Sequence, residues 1–113
     1  VENDDFSSKI DYACVLMKEL IDQPVSMQEI AKKVGMGYSL FRKLFKEQKN
    51  YAPVQYFQNL KIQKAIELLT TTTIPVKEIA YRLDFESPAY FSARFKKQTG
   101  KSPIEYREDF RIK

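Results

Sequence analysis

The sequence predicts an all-α chain of seven helices, arranged as two helix-turn-helix subdomains joined by a long linker helix. Three observations predict it. Apolar residues recur at spacings of three, four and seven along most of the 113 residues, which marks one buried face on successive amphipathic helices. Only 3 Gly and 5 Pro are present, too few tight turns for an all-β sandwich. A set of landmarks also repeats about fifty residues apart, so the helical pattern is a duplicated one.

The first helix is expected over residues 5–21. Phe6, Ile10, Ala13, Cys14, Met17, Leu20 and Ile21 share one face, Asp5 or Ser7 serves as cap, and Pro24 lies just past the end. Cys14 falls on that stripe and reads as core. A second helix starts at Ser26, where Ser26-Met27-Gln28-Glu29 spells a capping box. In such a box the hydroxyl accepts from the third amide and the Glu reaches back to the cap. Met27, Ile30, Ala31 and Val34 form its apolar side, and Gly35 stands where a left-handed residue ends a helix. The third helix, residues 38–48, places Leu40, Phe41, Leu44 and Phe45 on one face. Ser39, Arg42, Lys43 and Lys46 occupy the other, three cations and a hydroxyl with no acid among them. Asn50, tolerant of left-handed backbone, ends it.

The fourth helix begins at Pro53, a favoured first-turn residue, and continues through Val54, Phe57, Leu60, Ala65, Leu68 and Leu69. Thr70–Thr73 break it, because β-branched hydroxyl residues have low helix propensity. The fifth covers residues 75–83. The sixth covers residues 88–98, with Ser87 as N-cap and Gly100 as terminator. The seventh, short, starts at Pro103, where Ser102 and Glu105 form a second capping box. Residues 108–113 are expected to be a frayed tail. The divisions that follow are 1–52, 53–70 and 71–113.

The duplication is specific. Glu29-Ile30-Ala31 recurs as Glu78-Ile79-Ala80 at an offset of 49; Phe45-Lys46 recurs as Phe95-Lys96, and Pro53-x-x-Tyr56 as Pro103-x-x-Tyr106, at 50. One residue is therefore inserted in the second turn region. Two copies do not make a solenoid, which needs three or more stacked units; a tandem pair of helix-turn-helix units fits. Val34-Gly35-Met36-Gly37-Tyr38 connects the first pair and Leu83-Asp84-Phe85-Glu86-Ser87 the second. A compact turn of this kind lets the second helix protrude into a major groove about 12 Å wide.

Composition narrows the chemistry. Apolar residues make up 43% and charged residues 30%, enough to bury a core and too apolar for disorder. With no His, Ser-His-Asp hydrolysis, Cys-His proteolysis and His-ligated metal are excluded, and no metal or cofactor is expected. A single Cys forms no internal disulfide, so a reducing cytoplasm is the expected home. The longest apolar run, Tyr12 to Met17, spans no membrane. A chain that starts at Val rather than Met is expected to be part of something longer. Net charge is +4. Residues 1–30 hold two Lys against seven acids, a balance of −5, and residues 31–113 hold 17 basic and 8 acidic residues, +9. Such an excess favours a polyanionic partner.

These residues resemble the DNA-binding domain of AraC/XylS-type transcription regulators over about residues 7–107. The most specific stretch is Ile79-Ala80, Phe85, Tyr90-Phe91-Ser92, Phe95-Lys96-Lys97, Gly100 and Ser102-Pro103-x-x-Tyr106-Arg107. Four positions depart from the family pattern. Asp84 replaces a Gly in the second turn, Lys61 an Arg early in the linker helix, Asn50 a Gly after the third helix, and Ala93 a basic residue in the sixth. The resemblance implies two helix-turn-helix subdomains on a linker helix of about 26 Å. Their second helices would enter neighbouring major grooves of double-stranded DNA, about 34–36 Å apart. Because the halves differ, the expected site is non-palindromic. The family also implies RNA polymerase as a partner and an effector or dimerisation domain outside this chain.

On that reading Ser39, Arg42, Lys43 and Lys46, with Gly37 and Tyr38 at the helix start, read bases. Arg42 or Lys43 would donate to guanine O6 and N7. Ser87, Pro88, Ala89, Ser92 and Ala93 face DNA in the second half. They are small and short of donors, so weak readout through thymine methyls, or backbone clamping, is expected there. Phosphates are expected at the Val54 and Ile104 amides, through the helix dipole, and at Gln58, Lys96, Lys101 and Arg107. Phe41, Phe45, Phe91 and Phe95 are expected in the core. Two other readings are an architectural, weakly specific DNA-binding protein and a helical protein-interaction module marked by a large exposed apolar patch. An enzyme finds no support, since no nucleophile stands beside a base and no Gly-rich phosphate loop is present.

Overall fold

Each half of the chain closes the same turn with the same hydrogen bonds. After the first short helix, Gly35 N donates to Lys32 O and Met36 N to Ala31 O, both at 3.0 Å. After the second, Asp84 N donates to Tyr81 O and Phe85 N to Ala80 O, again at 3.0 Å. This is the Schellman arrangement, in which the residue past the cap is left-handed. Gly35 has φ +77° and Asp84 φ +57°. An Asp is tolerated there because its short polar side chain suits left-handed backbone better than most. Met36 and Phe85, the next residues, are buried under the turn.

The computed structural model describes the backbone of residues 2–112 and the side chains of residues 6–111. In this stretch the chain is all-α: α1 (Glu2–Glu19), α2 (Met27–Lys33), α3 (Tyr38–Lys49), α4 (Pro53–Thr71), α5 (Val76–Arg82), α6 (Pro88–Thr99) and α7 (Pro103–Ile112). The expected caps form. Glu29 N donates to Ser26 Oγ at 3.1 Å and Ser26 N to Glu29 Oε1 at 2.9 Å. Ser102 and Glu105 repeat this at 3.1 and 2.8 Å. Tyr90 N donates to Ser87 Oγ at 3.0 Å. Asn50 (φ +69°) and Gly100 (φ +88°) end α3 and α6 in the left-handed region.

The chain divides into two compact units, Val1–Leu60 and Lys61–Lys113. In the first, α1 packs on α2 and α3. Ile10, Met17, Ile30, Phe41 and Phe45 are fully buried there, with Phe57 of α4 beside them. Cys14 is core, as expected. In the second, α5 packs on α6 and α6 on α7, and Ile62, Leu69, Ile79, Leu83, Phe91 and Phe95 are fully buried. Each such side chain contributes about 1.5–3 kcal/mol relative to exposure. The ring geometry is duplicated too. Phe41–Phe45 centroids are 5.5 Å apart and Phe91–Phe95 5.8 Å. Phe45–Tyr56 and Phe95–Tyr106 meet edge-on at 5.2 and 5.5 Å. The four Phe are therefore core, not base-stacking platforms.

Five expectations need correction or refinement. The first helix starts at Glu2, so Asp5 and Ser7 lie within it rather than at its cap position; the Asp5 side chain is outside the described residues. The threonine run does end α4, but midway, since Thr70 and Thr71 are still helical. Their hydroxyls donate back to Ile66 O (2.9 Å) and Glu67 O (2.6 Å), a local bond that Thr makes inside helices. Leu40, expected on the buried face of α3, is 42% exposed, because only Phe41 and Phe45 reach the core and Leu44 lies at its edge. Val54, expected on the apolar stripe of α4, is 52% exposed at its first turn. Residues 108–112 are helical in α7, held in part by an ion pair from Lys101 to Asp109.

Candidate nucleic-acid interface

The helix that follows the first tight turn carries the strongest charge contrast in the chain. Gly37 caps α3 without a side-chain bond, and Tyr38 is its first residue. Phe41 and Phe45 anchor one side in the core. Period 3.6 then places Ser39, Arg42, Lys43 and Lys46 on the opposite face, and all four are exposed. They line a surface depression of about 450 Å³ together with Glu47 and Ala52. Glu47 corrects the expectation of a face without acid, since it stands at the edge, one turn beyond Lys43. Among the described residues, Arg42, Lys43 and Lys46 take part in no ion pair. Arg42 Cζ instead lies over the Tyr38 ring, 5.7 Å from its centroid. That stack follows from the i, i+4 spacing and was readable in it.

The second unit presents a different surface. Ser87 is spent on capping α6. Ala89 and Ala93 are exposed, and Pro88 and Ser92 half-exposed. None of these carries a long donor, so the donor-poor face anticipated from composition is present on the folded helix.

The phosphate candidates divide by what else they touch. The first amides of a helix have no intrahelical partner. Tyr56 N bonds to Ala52 O, which leaves the Val54 amide at the exposed start of α4, where no acid occupies the first turn. The start of α7 carries Glu105 in its first turn. Ser102 holds the Glu105 carboxyl below its usual range by hydrogen bonding, so an anion at the Ile104 amide meets a resident negative charge. Lys96 is exposed, and Gln58 is half-buried with its Oε1 buried and unpaired. Lys101 is engaged by Asp109, which raises its pKa.

Arg107 already has partners inside its own unit. Expected on a phosphate, it donates Nε to Leu69 O at 3.0 Å and Nη2 to Thr72 O at 3.3 Å. These carbonyls sit at the C-terminal end of α4, where a cation is favoured by the helix dipole. Partial burial there lowers the Arg107 pKa. Lys61 is likewise inside the second unit, buried with its ammonium 5.6 Å from the Phe85 ring centroid. Burial lowers its pKa and the Asp84 charge opposes that shift. Two departures from the family pattern, Lys61 and Asp84, are thus electrostatically linked.

Among the described residues no helix is long and apolar enough to cross a membrane. A helix-turn-helix domain family matches residues 15–109. The chain is 32% identical over 103 residues to the helix-turn-helix-type transcriptional activator RhaR of Mannheimia succiniciproducens, covering 91% of this chain and 37% of that protein. The chain spans between 7% and 37% of the length of eight curated relatives that it matches. The DNA-binding domain of AdpA, a global transcriptional factor solved with a target DNA, superposes with TM-score 0.87 at 26% identity, over 91% of this chain and 93% of that one. An AraC-type regulator from Chromobacterium violaceum does so with TM-score 0.87 at 28% identity, over 92% and 93%. The duplicated Schellman turns, the paired Phe cores and these matches agree, and the chain belongs to the AraC/XylS-type family of helix-turn-helix domains.

Proposed function

We propose that this chain binds double-stranded DNA sequence-specifically to regulate transcription, with α3 and α6 in successive major grooves of a non-palindromic site. The observation that carries this reading is the exposed, acid-unpaired Arg42–Lys43–Lys46 face, on a helix that follows a tight turn. The similarity to a domain solved on its target DNA supports it. On this reading Tyr38, Ser39, Arg42, Lys43 and Lys46 read bases, and Ser87, Pro88, Ala89, Ser92 and Ala93 lie against DNA with little readout. The Val54 amide, Gln58 and Lys96 hold phosphates, with the Ile104 amide and Lys101 as weaker contacts because Glu105 and Asp109 already stand beside them. The working divisions are residues 1–52, a linker over 53–70, and 71–113. In the cytoplasm, RNA polymerase is the proposed second partner, and a sensing or dimerising domain belongs to a longer protein.

The small-residue face of α6 favours one rival, an architectural protein with weak sequence preference. Selection of preferred sites from a random DNA pool separates the two. Two unlike blocks about 10–10.5 base pairs apart are expected. One block would confine base reading to α3. No enrichment would overturn the proposal in favour of the architectural reading.

A further inference from the structure

The duplication supplies an internal comparison that singles out a second surface on α6. Counting about 100° per residue, Tyr90, Arg94 and Lys97 form a single stripe, at i, i+4 and i+7. It is turned about 100° from Ala89, on the flank away from Ser92 and Lys96. At the matching positions of α3, fifty residues earlier, stand Leu40, Leu44 and Glu47. The first half therefore has cations on its central face and an apolar, acidic flank. The second half has small residues at its centre and three hydrogen-bond donors on that flank.

The three donors are placed to be used. The Tyr90 ring packs 6.4 Å from Phe85 and is 38% exposed. Lys97 is exposed. Arg94 is half-buried, and its Nε–H is buried without an acceptor. Among the described residues neither Arg94 nor Lys97 has an ion pair. A helix with its side chains is about 10–12 Å across and the major groove about 12 Å wide. A helix seated there meets a sugar-phosphate wall on both flanks, not only on the one nearer Lys96.

We propose that the Tyr90–Arg94–Lys97 flank of α6 is a phosphate clamp that supplies this half's affinity without sequence information. The inference rests on α6 entering a groove, as in the reading above. Turning the Arg94 guanidinium outward gives Nε–H and an Nη–H a phosphate to hold in bidentate fashion, while the alkyl stem stays packed. Lys97 adds a point charge one turn on, and the Tyr90 hydroxyl a neutral donor. The first half needs no such flank, because its central cations meet DNA directly.

The test is a salt titration of DNA binding by the whole chain, on a selected preferred duplex and on a scrambled one. R94Q and K97Q are each expected to reduce the slope of log K against log salt by about 1. Each should weaken binding to both duplexes by the same factor. Y90F is expected to weaken both about three- to tenfold with the slope unchanged. R94M keeps the packed stem, so it is expected to melt like the parent yet match R94Q in slope. Parental slopes in R94Q, R94M and K97Q would overturn the clamp, as would a loss confined to the preferred duplex. A parent that binds both duplexes equally would overturn the specific-reader proposal instead, and the slopes would still decide the clamp.

Discussion

The Arg42 guanidinium rests on the face of Tyr38, one helical turn before it, with 5.7 Å between Arg42 Cζ and the ring centroid. The contact restricts a long side chain that would otherwise sample many rotamers, on the face of α3 opposite the buried Phe41 and Phe45. Arg42→Ala is expected to relax preference at one or two base pairs, by about 1–3 kcal/mol at the affected pair. Tyr38→Phe keeps the ring and should keep the preference, whereas Tyr38→Ala should erode it at the same pair. A binding scan over single-base variants of the selected site measures this. A uniform loss on all sequences for Arg42→Ala would identify a phosphate contact instead.

Arg107 links α7 to the end of α4 through Leu69 O and Thr72 O. Hydrogen bonds from a charged donor contribute about 1.5–3 kcal/mol each in favourable sites. Arg107→Ala is expected to lower the melting temperature by on the order of 10 °C and to leave the salt slope of DNA binding at the parental value. A slope reduced by about 1, with melting unchanged, would return Arg107 to the phosphate contacts.

The two capping boxes make stability depend on acid pH. Hydrogen bonds from Ser26 hold the Glu29 carboxyl below 4.5, and those from Ser102 do the same for Glu105. A carboxylate whose folded pKa is lowered stabilises the fold above its unfolded value, and that contribution is lost as pH falls through the lowered folded value. Urea midpoints are therefore expected to drop as pH falls below 4.5. A Ser26→Ala, Ser102→Ala double variant should start lower at pH 7 and fall less steeply. Parallel curves for the two proteins would contradict this.

Asp84 carries two opposing demands. Its left-handed backbone, φ +57°, favours Gly or Asn, while its charge steadies the buried Lys61 ammonium. Asp84→Asn keeps the backbone tolerance and removes the charge. It is expected to lower stability at neutral pH by on the order of 1 kcal/mol. Burial depresses the folded pKa of Lys61 below its unfolded value of 10.5. The native state therefore gains as pH rises from that depressed value toward 10.5. The deficit of Asp84→Asn should accordingly shrink in urea melts at pH 10. A deficit of equal size at pH 7 and pH 10 would show that charge is not the cause.

Much of the architecture is legible in local pattern. Capping boxes at Ser26 and Ser102, the left-handed stops at Gly35, Asn50 and Gly100, and Pro at the starts of α4, α6 and α7 depend on residues within a turn of one another. The paired Phe residues follow from helical period alone. The cationic face of α3 was visible for the same reason, as residues on one side of one helix. Thr70 and Thr71 stay helical past the expected break because propensity weighs a residue in isolation, whereas a helix already formed offers their hydroxyls a carbonyl four residues back.

What sequence by itself determined here is the set of helices, the caps of α2, α6 and α7, their duplication and the general side each turns inward, since all of these are local or periodic quantities. Only tertiary structure decided how each side chain is spent. Arg107 and Lys96 are equally cationic as letters, yet one is consumed by carbonyls that lie 35 and 38 residues away and the other stays in solvent. Leu40 and Phe41 are equally apolar, yet only one finds a core to fill. Those outcomes depend on which distant groups the folded backbone brings within about 3–4 Å, and short-range interactions of that kind leave no periodic trace along the chain.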